Sequence, residues 1–108
     1  MEKENKFKTP ILIIAWKRPK QTKELIKKIK QINPTNLYVA CDGPKNESTL
    51  DDNKVKKTKE LLLKSFEEVR QKKFLYSDIN QGCKLGVSNA IEWFFQHETE
   101  GIILEDDC

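Results

Sequence analysis

Three consecutive acids, Glu105, Asp106 and Asp107, close the apolar run Ile102-Ile103-Leu104. Adjacent carboxylates repel one another, and burial penalises the charged form of each. A cation, or a ligand carrying one, relieves that repulsion. Magnesium and manganese take oxygen ligands, retain waters, and are often held by one or two carboxylates together with substrate phosphates. The acids therefore mark a candidate site for a metal-bound, phosphate-bearing ligand. The bland alternative is an exposed acidic segment with no ligand.

Other polar residues follow apolar runs in the same way. Lys17-Arg18 follows Ile11 to Trp16, Asp42-Gly43 follows Leu37 to Cys41, and Ser77 to Gly86 follows Lys73 to Tyr76. Arg18 could reach a base or diphosphate, or serve as a surface cation beside a helix start. Asp42 could accept hydrogen bonds from a base or ribose, or simply occupy a turn. Lys84 stands between Gly82 and Gly86, where a glycine-bearing loop brings backbone amides near a ligand. Asn80 and Asn89 read as structural members of that loop. His97 lies late in a helix, where a cation suits the dipole, and Trp16 reads as core packing. Cys41, Cys83 and Cys108 have no zinc spacing, and their odd number argues against a disulfide framework. Reduced thiols in a cytoplasmic protein are the expectation.

The elements that must position these residues alternate. Residues 11–16 read as a strand buried on both faces. Pro19 suits the first turn of a helix whose apolar face carries Leu25, Ile26, Ile29 and Ile32, ended by Asn33-Pro34. Residues 37–41 form a second strand. A lysine-rich helix with Val55, Leu62, Phe66 and Val69 on one face follows the polar loop 44–53. Residues 73–77 are a third strand, and 80–86 a connection. A helix from about Ser88 to His97 buries Ala90, Ile91, Phe94 and Phe95, and 101–105 form the last strand. The pattern β-α-β-α-β-α-β predicts an α/β layer structure with a mainly parallel sheet. The expected strand order, 3-2-1-4, sets Lys17-Arg18 beside Asp106-Asp107 where the order reverses, the usual ligand crevice of such sheets.

At 108 residues the chain fits one domain. Charged residues make up 34% of it, yet its apolar residues are bunched into these periodic segments, so a core is expected. The net charge of +3 is modest, and without aromatic-basic interleaving it does not support a nucleic-acid partner. No apolar run approaches the roughly 20 residues that span a bilayer. Residues 1–9 read as a disordered lead-in.

Four segments together resemble the donor-binding half of GT-A-fold nucleotide-sugar glycosyltransferases, nearest the bacterial relatives of the N-acetylglucosaminyltransferase I group. They are "PILIIAWKRP" from Pro10, "LYVACDGP" from Leu37, "NQGCKLGVSNAIEW" from Asn80 and "GIILEDDC" from Gly101. The last resembles a Glu-Asp-Asp form of the DxD motif. The resemblance implies a Rossmann-like half-domain over 10–108, truncated at the metal motif, with catalytic residues beyond Cys108. It implies a nucleoside-diphosphate sugar, a UDP-sugar first among them, held by Arg18, Asp42, Lys84, Glu105 and Asp106. Asp107 would ligate manganese or magnesium. The sugar would pass to a glycan or other hydroxyl acceptor. Membrane-surface association of a longer parent protein and homo-oligomerisation are also expected, the latter because the last strand's edge and aromatic residues 93–95 would lack their cover.

Two other classes compete. A sugar nucleotidyltransferase shares this sheet layout but should carry a glycine-rich loop after the first strand, and Ala15-Trp16-Lys17-Arg18-Pro19 has no glycine. A receiver-like, non-catalytic α/β module should carry an acidic pair there, where this chain has Lys17-Arg18.

Overall fold

A computed structural model describes residues 6–45 and 49–106, apart from the Thr49 side chain. The elements are β1 (Ile11–Ala15), α1 (Pro19–Gln31), β2 (Asn36–Cys41), α2 (Thr49–Ser65), β3 (Gln71–Tyr76), α3 (Cys83–His97) and β4 (Ile102–Glu105). The four strands form one parallel sheet in the order β3-β2-β1-β4. This is the α/β architecture and the strand order expected from the sequence.

All five residues of β1 are buried, as a central parallel strand covered on both faces requires. Its alternate side chains feed two cores. Ile11, Ile13 and Ala15 join Leu37 and Val39 beneath Ile26 and Ile29 of α1 and Leu62 of α2. Leu12 and Ile14 join Tyr38 and Ala40 beneath Ala90 and Phe94 of α3. Helices α1 and α2 thus cover one face and α3 the other. The crossover from β3 to β4 passes the whole sheet and creates the reversal between β1 and β4.

Local sequence explains the ends of the elements. Pro19 occupies the first turn of α1, where its missing N–H costs nothing. Asn33 adopts a left-handed φ of 56°, a conformation asparagine tolerates better than most residues, and Pro34 prevents continuation. Asp51 and Asp52 sit in the first turn of α2, where carboxylates suit the helix dipole. Phe66 and Val69 are buried with the α2 face but lie in the turn beyond it.

Several expectations change. Helix α3 begins at Cys83, five residues before the expected start, so Gly86 and Lys84 are helical. Phe7, expected in a disordered lead-in, bridges Pro34 in parallel and packs against the first core. Phe95 is exposed rather than buried, because α3 turns Phe94 into the sheet and its neighbour outward. Of the aromatic residues 93–95, then, Phe94 is fully buried and Trp93 packs edge-on against Tyr38. Of these three, Phe95 is the exposed one. Among the described residues no helix is long and apolar enough to cross a membrane.

Candidate functional site

The reversal between β1 and β4 brings Asp106 onto the end of β1. Its backbone N–H donates to the Ile14 carbonyl at 3.1 Å. Its carboxylate Oδ2 accepts from the Trp16 N–H at 3.4 Å and from the Thr22 hydroxyl at 3.3 Å. Thr22 is fully buried in α1, one and two turns ahead of Ile26 and Ile29 on the same face. The acid is therefore held by the loop after β1 and by the helix behind it. Glu105 pairs with Ile14 in register, and its side chain is exposed. Arg18 stands exposed at the N-cap of α1, its carbonyl accepting from the Thr22 N–H at 2.8 Å. Asp107, the expected metal ligand, lies outside the described residues.

Asp42 organises the neighbouring rim. Its Oδ1 accepts from the N–H groups of Gly43 at 2.8 Å and Gln81 at 2.9 Å. Its Oδ2 accepts from Gln81 at 3.1 Å, Gly82 at 3.1 Å and the Asn80 side chain at 3.3 Å. Three backbone amides and one side-chain amide thus converge on one carboxylate. Gly82, at φ 90°, supplies a turn that L-residues with side chains rarely enter. The glycine connection does gather backbone amides, but it aims them at Asp42. Gly43 carries no side chain for a different reason: a Cβ there would lie 2.7 Å from the Asp78 backbone. The Gly43 carbonyl accepts from the Trp16 indole N–H at 2.7 Å and from Asn80 Nδ2 at 2.9 Å. Trp16 is therefore a half-buried strut across the rim rather than a core residue, with the Lys17 ammonium 4.6 Å from its ring centre.

Asp42, Glu105 and Asp106 line one cavity of about 40 Å³ with Ile14, Trp16 and Gly82. That volume admits a few waters and no nucleotide, so a nucleotide would lie across the rim. Arg18 does not line it. Lys84 does not either. It is exposed on the first turn of α3 and borders a shallow depression with Glu105. Five candidates thus divide into a central group, Asp42, Glu105 and Asp106, and two flanking cations.

Cys41 lies beneath this rim, its thiol 3.7 Å from the Trp16 carbonyl. Burial pushes its pKa up to about 12. The Lys59 charge opposes that shift, and the Asp106 and Asp42 charges reinforce it. It is therefore an inert thiol at neutral pH. Cys83 is disulfide-bonded, which corrects the expectation of a reduced thiol there, while Cys41 is free as expected.

Thr22 and Gln81 escaped the sequence reading. The spacing Thr22-Ile26-Ile29 marks Thr22 as part of a buried face, which was a usable signal. Gln81 acts through its backbone, which no side-chain pattern reports.

Among the described residues no group of three or more metal-ligating side chains occurs. A magnesium-type ion does not need one, since phosphates and waters complete its shell. Glu105 and Asp106 carry carboxylate oxygens at the end of β4. No protein-family model, curated protein or solved structure matches the chain.

Proposed function

We propose that this chain is the donor-binding region of a nucleotide-sugar glycosyltransferase. The observation that carries the proposal is the fixed position of Asp106 at the β1–β4 reversal, with Asp42 on the same rim. Ligand crevices of parallel sheets open at that place. Asp106 would face the ribose or sugar, with Glu105 as a further polar contact. Arg18 and Lys84 flank the rim as cations for the diphosphate. Asp42 would shape the rim, because a base or ribose must compete with the amides it already binds. A manganese or magnesium ion, held by Asp107 and the donor's phosphates, would neutralise the diphosphate leaving group. The absence of glycine between Ala15 and Pro19 disfavours a nucleotidyltransferase. The acceptor would be a glycan or another hydroxyl compound. A cytoplasmic setting belongs to the same proposal, and the Cys83 disulfide weighs against it.

Calorimetric titration with uridine diphosphate tests the reading. Binding should require manganese or magnesium, and Asp107→Asn should lose that metal-dependent part while retaining any weak binding in chelator. Binding indifferent to metal, or an unaltered Asp107→Asn, would overturn it.

A further inference from the structure

A second, larger concavity lies between α1 and α2. Its volume is about 920 Å³. Six of its lining residues are cations: Lys17, Arg18, Lys20, Lys23, Lys54 and Lys57. Among the described residues no carboxylate lines it. Elsewhere on the same helices lysines are paired with acids: Lys30 with Glu68 at 3.5 Å and Lys56 with Asp52 at 3.4 Å. Lys17 reaches Asp51 at 3.3 Å at the end of the groove. Among the described residues no ion pair engages Lys20, Lys23, Lys54 or Lys57. The groove also has apolar walls, Leu50 and Leu61, and Leu50 is 64% exposed. A cleft lined by one sign of charge with low-dielectric walls focuses its field and concentrates counter-ions.

We propose that this groove is a binding site for a linear oligophosphate, a ligand with several phosphate groups in a row. The proposal does not rest on the glycosyltransferase reading. The cations come from two helices and the loop ahead of one of them, so a single small anion cannot meet them all, whereas a chain of phosphates can. Lysine ammonium groups act as point charges on phosphate oxygens. The concavity suits a chain rather than a flat lipid surface. Among the described residues no stacking aromatics, which single-stranded nucleic acid would call for, line it.

The test uses the whole chain, without metal or nucleotide, titrated with inorganic tripolyphosphate, orthophosphate and a short single-stranded oligonucleotide at low salt. Tripolyphosphate should bind saturably, at least tenfold more tightly than orthophosphate, and weaken steeply as salt rises. K20Q/K23Q on α1 and K54Q/K57Q on α2 should each weaken it about tenfold. K27Q/K28Q, which makes the same charge change on exposed α1 positions outside the groove, should leave it within twofold. Circular dichroism confirms that each variant is folded. Equal losses in all three variants would reduce the groove to general surface charge and overturn the proposal. So would orthophosphate binding as tightly as tripolyphosphate, a loss confined to one helix, tighter binding of the oligonucleotide, or no saturable binding.

Discussion

Replacing Asp42 by asparagine isolates the carboxylate that binds the connection before α3. The substitution keeps size and shape but converts one acceptor oxygen into a donor. The shorter contacts, to the Gly43 and Gln81 N–H groups at 2.8 and 2.9 Å, can keep the remaining oxygen. The new amino group then faces the Gly82 N–H and the Asn80 amide, both donors. A hydrogen bond to a charged group contributes about 1.5–3 kcal/mol. Asp42 and Gly82 are only partly buried, so water can replace some of what is lost. About 2 kcal/mol is a reasonable net cost, equivalent to roughly a thirtyfold shift in the local opening equilibrium. Amide hydrogen exchange at Gln81 and Gly82 reads this directly. Both should exchange roughly thirtyfold faster in D42N, while amides in the middle of β1 change much less. Unchanged exchange at Gly82 in a folded variant would refute the argument that Asp42 holds this connection.

Thr22→Val, an isosteric change at a fully buried site, removes the hydroxyl donor to Asp106. It should cost about 1 kcal/mol in urea unfolding. The Trp16 N–H keeps its bond to Asp106 Oδ2 in that variant, and an unaltered unfolding midpoint would contradict the assigned Thr22 bond. Alkaline stability gives a third check. Burial and then the hydrogen bond and charge of Glu98 raise the Tyr38 pKa from 10.0 to about 12, and Cys41 rises from 9.0 to about 12. Both groups keep a proton in the folded chain that the unfolded chain releases, so their contribution to stability is intact below pH 9 and is lost between pH 9 and 12. Urea midpoints of wild type and of C41A/Y38F should diverge in slope across that window, the variant falling less. Parallel curves would disprove the assignment.

The architecture was legible because β1 and β2 are continuous apolar runs and the helices that follow them, α1 and α2, carry apolar faces at helical spacing. The alternation implied a mainly parallel sheet with right-handed crossovers, whereas the order of the strands, though expected, is not dictated by alternation or handedness. The start of α3 was not legible, because Gly82 and Gly86 read as a loop. In fact Gly82 makes the turn and Gly86 sits inside the helix, against the Asp42 carboxylate, where a Cβ would come within 3.3 Å of Oδ2. The acids at the end of β4 were visible as candidates. The partner of Asp106 on α1 was less so, since a threonine on an apolar helix face announces burial and not what its hydroxyl touches. The groove of lysines between α1 and α2 required knowing which faces of two helices meet.

Strand β4 has four residues and a single pairing partner among the described strands, β1. Ninety residues separate Trp16 from Asp106, whose contact closes the rim. Joining segments so far apart carries somewhat more loop-closure entropy than the successive crossovers that unite β1, β2 and β3, the difference growing only logarithmically with separation. The acid end of the rim is thus carried by the shortest strand, at one edge of the sheet. Brief detachment of β4 would dismantle the acidic half of the rim while the rest of the sheet persisted, so a ligand bridging both halves would act as a clasp, lengthening the lifetime of the closed sheet.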